Sequence, residues 1–227
     1  MPFADHTFIK SPVTMTAVID NVAPINNASA MSISNTGTGV ARNVAIERVS
    51  TAPGQLVGFI RTEMYVAKQS AGLLLTDEDN GIYCMASQLD LTGGVGEAYG
   101  FVMNGIGATP VWQLVRYTAG VQALGSGKVV IAGGSVVGDP GYSKPMIIEF
   151  RWALNEVGIG GINLKAQAAS GTNPANMETV FDVTLGGAIL TSSVAQGLLY
   201  GDYERTALDL KTTNFNNTFY SALSVSN

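Results

Sequence analysis

The stretch Lys144–Ser170, KPMIIEFRWALNEVGIGGINLKAQAAS, constrains the fold more than any other part of the chain. Met146, Ile148, Phe150, Trp152 and Leu154 share one parity, and Glu149 and Arg151 take the other. After a Gly-rich passage the alternation resumes, with Ile162, Leu164, Ala166 and Ala168 set against Asn163, Lys165 and Gln167. A period of two marks a half-buried strand, because successive side chains point to opposite faces of a sheet. Two adjacent antiparallel strands are therefore predicted over 146–154 and 162–168. Gly158, Gly160 and Gly161 supply the turn, and the Met146-to-Leu154 set faces the core.

The same signal recurs along the chain. Val13, Met15, Ala17 and Ile19 alternate with Thr14 and Thr16. GQLVGFIRTEMYVAKQ puts Leu56, Ile60, Met64 and Val66 on one face. VARNVAIERVS, EAYGFVMN, VWQLVRYT, KVVIAG, ETVFDVTLG, QGLLYGDY and NFNNTFYSALSVS also read as strands. AGLLLT and GIYCMASQL read as a hairpin joined by DEDNG, with Asn80-Gly81 supplying the positive-φ positions of the turn. Only NPANMETVF offers a helical alternative, with Met177, Val180 and Phe181 at helical spacing. On the order of a dozen strands with turn residues between them point to an antiparallel sandwich and not to βαβ units. Residues 1–45 read as an N-terminal arm with one strand, Val13 to Ile19, and 46–227 as the sandwich domain. That arm strand is expected to reach a neighbouring subunit, or to pair with the chain's own closing strand.

Composition narrows the function classes. The 227 residues fit a single sandwich. Charged residues make up 13%, about half the usual share of roughly 25%, so the surface is built from small polar residues that tolerate close protein contact. The formal net charge of -5 and the lack of any basic run argue against nucleic acid. A lone cysteine, Cys84, allows no internal disulfide, and a lone histidine, His6, removes most zinc sites and most Ser-His or Cys-His catalysis. The N-terminal segment shows no signal-peptide pattern, and no apolar run is long enough to span a membrane as a helix. No cofactor is implied.

The order of the strands resembles the concanavalin A-like, laminin G-like jelly roll over roughly residues 50–227. GFIRTEMYVA, then AGLLLT and NGIYCMAS, resemble that family's opening strands. VWQLVRYTAG followed by ALGSG resembles its central pair, and MIIEFRWAL with INLKAQA its returning pair. VAQGLLYG and TNFNNTFYSAL resemble its late and closing strands. The resemblance implies an all-β antiparallel sandwich.

Within that frame few residues carry chemistry. Asp77 and Asp79 in TDEDNG are candidate calcium ligands, since calcium takes oxygen donors, but the spacing does not fit an EF-hand loop. Retaining glucanases that share the jelly roll need carboxylates alternating along one strand; MIIEFRWALNE offers Glu149, then Arg151 and Ala153, so the pattern is broken. GSGKVV mimics the end of a phosphate loop, yet Gln122 stands where the upstream glycine belongs and Val129 where Ser or Thr would. Trp112, Tyr117 and Tyr142 are candidate glycan-binding aromatics, and Trp152 reads as core. Cys84 reads as a small buried side chain. The expectation that follows is a non-enzymatic structural protein of a tailed-bacteriophage virion, a head-decoration or tail/fibre component. It would act through contacts with other virion proteins and copies of itself, and reach a host-surface glycan at most. The alternative is a carbohydrate-binding, lectin-like module.

Overall fold

The computed structural model describes residues 7–11, 15–20, 30–35, 43–50, 57–66, 78–88, 91, 95–104, 110–120, 127–134, 144–155, 161–171, 173–186, 195–202, 218–220 and 224–226. The strands in chain order are β1 (Thr7–Ser11), β2 (Met15–Asp20), β3 (Ala30–Asn35), β4 (Asn43–Ser50), β5 (Val57–Val66), β6 (Glu78–Ala86), β7 (Ala98–Asn104) and β8 (Val111–Tyr117). They continue with β9 (Lys128–Gly134), β10 (Met146–Asn155), β11 (Gly161–Ser170), β12 (Glu178–Leu185), β13 (Ala195–Asp202), β14 (Thr218–Tyr220) and β15 (Ser224–Ser226). Before β12, Pro174–Asn176 form a 3-10 turn whose first free amide, on Ala175, donates to the Asn173 side chain. Proline at its start and β-branched Thr179 and Val180 just beyond favour a turn and then a strand over the helix that Met177, Val180 and Phe181 alone would permit.

The strands build two antiparallel sheets packed as a sandwich. The smaller sheet has seven strands in the order β1-β4-β13-β6-β7-β8-β9. The larger has eight, β12-β11-β10-β5-β14-β3-β2, with β15 also pairing β5. The pairing predicted for the opening stretch is present: Phe150 stands opposite Ala166 and Trp152 opposite Leu164. Residues 1–45 carry more than one strand. β1 pairs β4 in the smaller sheet, β2 pairs β3, and β3 pairs the closing strand β14 in the larger. These strands thus take places in the chain's own two sheets, with β1 and β2 at an edge of each.

The inward sets meet between the sheets. Ile60, Met64 and Val66 of β5, Met146, Ile148, Phe150 and Trp152 of β10, and Ile162, Leu164, Ala166 and Ala168 of β11 face Ile82, Cys84, Tyr99, Phe101, Met103, Trp112 and Leu114 of the smaller sheet. Phe101 is the hub. Its ring lies 4.9 Å from that of Trp112, 6.5 Å from Phe150 and 6.2 Å from Phe181, centroid to centroid, so one side chain joins both sheets. Edge-on contacts of this kind add to the burial term. Trp152 fits because its cross-strand neighbour is Gly58: a Cβ there would lie 2.5 Å from the indole.

Candidate functional site

The face of the smaller sheet turned away from the core carries a set of polar groups drawn from four adjacent strands, and most of them are buried. On β6 the core takes Ile82 and Cys84, which leaves Asp79, Gly81 and Tyr83 on the other face. On β7 the same logic leaves Asn104 outward, and on β8 it leaves Gln113, Val115 and Tyr117. Lys128 of β9 stands opposite Tyr117. These groups converge on the Asp79 carboxylate. The Asn104 amide donates to Asp79 Oδ1 at 2.9 Å, the Lys128 ammonium reaches the same oxygen at 2.7 Å, and the Tyr117 hydroxyl donates to Oδ2 at 2.8 Å. Gly100 makes this geometry fit, because a Cβ there would lie 2.9 Å from the Tyr117 ring that lies over it.

Asp79 and Asn104 are fully buried, and only 7% of the Lys128 side chain is exposed. A carboxylate so far from water is tolerated only with a cation and hydrogen bonds on its lone pairs, and here it has both. Beside this network, the Gln113 Oε1 atom is buried and has no hydrogen-bond partner among the described residues. The end of the sheet is clasped by a second pair. Arg116 NH2 lies 2.5 Å from Glu97 Oε2, and that hydrogen bond raises the guanidinium pKa above its ordinary value. The Glu97 backbone in turn exchanges hydrogen bonds with Ser87, 2.8 Å each.

The structure places the sequence-predicted residues as follows. Asp79 is not in a turn. Residues 78–81 pair with β13 on one side, and 79–81 with β7 on the other, so strands on both flanks draw DEDNG into β6 despite its Asn-Gly step. The Asp79 oxygens are held by an ammonium, an amide and a phenol, not set out as a calcium cage. Asp77 lies outside the described residues. Trp112 is not a rim aromatic: it is 1% exposed and packs on Phe101 inside the sandwich. Tyr117 is likewise 1% exposed and is drawn into the Asp79 network, and Tyr142 lies outside the described residues. Trp152 and Cys84 are core residues as expected, and burial pushes the Cys84 thiol well above its ordinary range. Asn104, Gln113 and Lys128 escape sequence reading because nothing local marks them; only the pairing of β6 to β9 brings them to one face.

No family model matches the sequence, and no curated protein matches it. Solved structures do share the fold. An alginate lyase from Aplysia kurodai aligns with a TM-score of 0.60 at 10% identity, over 92% of this chain and 86% of the other. An endo-β-1,4-glucuronan lyase from Trichoderma reesei gives a TM-score of 0.54 at 10% identity, over 96% and 89%. A legume lectin-like domain from Entamoeba histolytica gives 0.53 at 10% identity, over 98% and 90%. The class these define with the topology above is the lectin-like, concanavalin A-like jelly roll, here spanning nearly the whole chain. The expected virion role does not stand: the similar folds reported above are polysaccharide lyases and a lectin-like domain. For the same reason the expectation of a non-enzymatic protein is overturned, since lyases share this architecture end to end. Low charge and a single histidine had favoured a structural role, but neither is needed for sugar recognition, which uses amides, hydroxyls and aromatic rings.

Proposed function

We propose that the chain is a carbohydrate-binding protein that receives its saccharide on the outward face of the smaller sheet, beside the Asp79 network. The carrying observation is the Gln113 Oε1 atom, a buried acceptor without a partner among the described residues on the face where four strands present polar groups. An unsatisfied buried acceptor costs about 1–3 kcal/mol, and a sugar hydroxyl is a donor that offsets it. The Asp79 network ties β6, β7, β8 and β9 together on the same face. Isothermal titration against a panel of neutral and uronate oligosaccharides tests the reading. Binding to at least one sugar, weakened about tenfold or more in Gln113→Ala, supports it; a chain that binds none overturns it.

A second reading, a polysaccharide lyase, is favoured by one feature. Tyr117 and Lys128 place a phenol and an ammonium on one carboxylate, 2.8 and 2.7 Å away. β-Elimination from a uronate needs a group that takes the proton next to the sugar carboxylate, a cationic or amide donor that stabilises the charge built there, and an acid for the departing oxygen. Tyrosine and lysine supply such groups. Ultraviolet absorbance of an unsaturated uronate product, present in wild type and lost in Tyr117→Phe, would select this reading over binding alone.

A further inference from the structure

The outward face of the larger sheet carries a second, differently built cluster. Two rows cross its strands. In one, Arg61 of β5 stands opposite Glu149 of β10, which stands opposite Gln167 of β11. In the next, Phe59, Arg151, Lys165 and Asp182 follow one another across β5, β10, β11 and β12. The Glu149 side chain is fully buried and is gripped from both sides. Arg61 donates from Nε at 2.7 Å to Oε2, with its NH2 at 2.5 Å from the same oxygen, and Arg151 donates from Nε to Oε1. Phe59 lies close to both guanidiniums, its ring centre 6.0 Å from Arg61 Cζ and 5.6 Å from Arg151 Cζ.

The cluster carries more cations than carboxylates. Arg61, Arg151 and Lys165 are 37%, 50% and 42% exposed, and their acids are the buried Glu149 and Asp182, whose Oδ2 is 4.0 Å from Lys165. Arg151 and Lys165 are directly opposite each other, an arrangement of like charges that destabilises a sheet. Arg151 meets Glu149 through Nε, and its terminal nitrogens have no hydrogen-bond partner among the described residues on a side chain that is 50% exposed. Two like charges, Arg151 and Lys165, thus stand together on this face, with Phe59 beside Arg151.

We infer that Arg151, Lys165 and Phe59 form a second saccharide site, on the face opposite the first, which takes an acidic polysaccharide by its carboxylates. A carboxylate bridging Arg151 and Lys165 relieves their repulsion and meets the free guanidinium edge in the planar geometry that arginine favours. The pyranose ring bearing it then lies against Phe59. Glu149 keeps both arginines in place from beneath and is a positioning residue. The inference does not depend on the smaller sheet's site.

Affinity electrophoresis of the full chain through gels containing alginate or a neutral glucan tests it. Wild type should be retarded by alginate and not by the neutral polymer, and less so as salt rises. The Arg151→Gln, Lys165→Gln double variant should lose about tenfold or more in affinity, the scale of one charge-assisted hydrogen bond. Lys165→Gln alone, at an exposed side chain, should give an intermediate loss with an unchanged melting temperature. Absence of retardation in wild type, equal retardation by the neutral glucan, or full affinity in the double variant would overturn the inference. So would retardation lost in Gln113→Ala and kept in the double variant, which places all binding on the smaller sheet.

Discussion

Two carboxylates, Asp79 and Glu149, are buried on opposite outer faces of one sandwich, and each is held by cations and hydrogen bonds. They differ in where the cation is. Lys128 is sunk beside Asp79 with 7% of its side chain exposed, whereas Arg151 is half exposed above Glu149. Around Asp79 every oxygen is satisfied by neighbouring strands, so the network acts as a fastener. Around Glu149 the acid anchors the arginines while their outer edges meet solvent. Burial of the cation, more than burial of the acid, sets how much of each cluster meets solvent.

Strand β10 gives the largest contrast between inside and outside, since Phe150 and Arg151 are adjacent residues on opposite faces. Phe150→Ala should destabilise the protein by roughly 3–5 kcal/mol in urea unfolding, because its ring leaves a cavity against Phe101. A cost below about 1 kcal/mol would show that the sandwich does not close over this strand as described.

Lys128→Met sharpens the comparison directly. It keeps the aliphatic stem and removes the charge, which leaves Asp79 buried with only Tyr117 and Asn104 as partners. Breaking a buried ion pair on one side costs on the order of 3–5 kcal/mol, and the low end, about 3 kcal/mol, is expected here. The double variant Lys128→Met, Asp79→Asn should recover part of that loss. If Lys128→Met is as mild as a surface change, the two clusters are not different in kind.

What was legible in the sequence follows the same division. The parity of Met146 to Leu154 was readable because burial repeats every second residue, and the outward parity of Glu149 and Arg151 came with it. Their partner Arg61 was not readable, being 88 positions away and set opposite by strand register alone. Asp79 was misread for a related reason. Asn80-Gly81 is a strong local turn signal, but Asn104, Tyr117 and Lys128 lie 25, 38 and 49 positions further on and hold the segment in a sheet. β3 likewise owes its place to β14, near the far end of the chain.

Strand β6 offers a test with titration. Asp79 faces outward and has a cation; Cys84 faces the core and has none, and burial raises its thiol pKa. A raised acid pKa means the native state keeps its proton after the unfolded chain has lost it. Stability is therefore unaffected below the ordinary thiol range and falls as pH rises through it, by roughly a factor of ten in the folding equilibrium per pH unit. Comparison of wild type with Cys84→Ala by urea unfolding across alkaline pH isolates this slope. Equal slopes in the two proteins would contradict the burial of Cys84.

The smallest effect belongs to Arg151→Gln. Arg151 is 50% exposed, and Arg61 still holds Glu149 once it is gone. An ion pair whose cation is this exposed contributes about 0–1 kcal/mol, and here part of that is offset by relief of the repulsion from Lys165. The expected change in unfolding free energy is under about 1 kcal/mol and shrinks further with added salt. Set beside Lys128→Met, it asks whether two buried carboxylates with cations nearby are one device or two. A loss of about 3 kcal/mol at Arg151 would mean that Glu149 relies on it as Asp79 relies on Lys128, and that the guanidinium is bound to the fold and not available to a ligand.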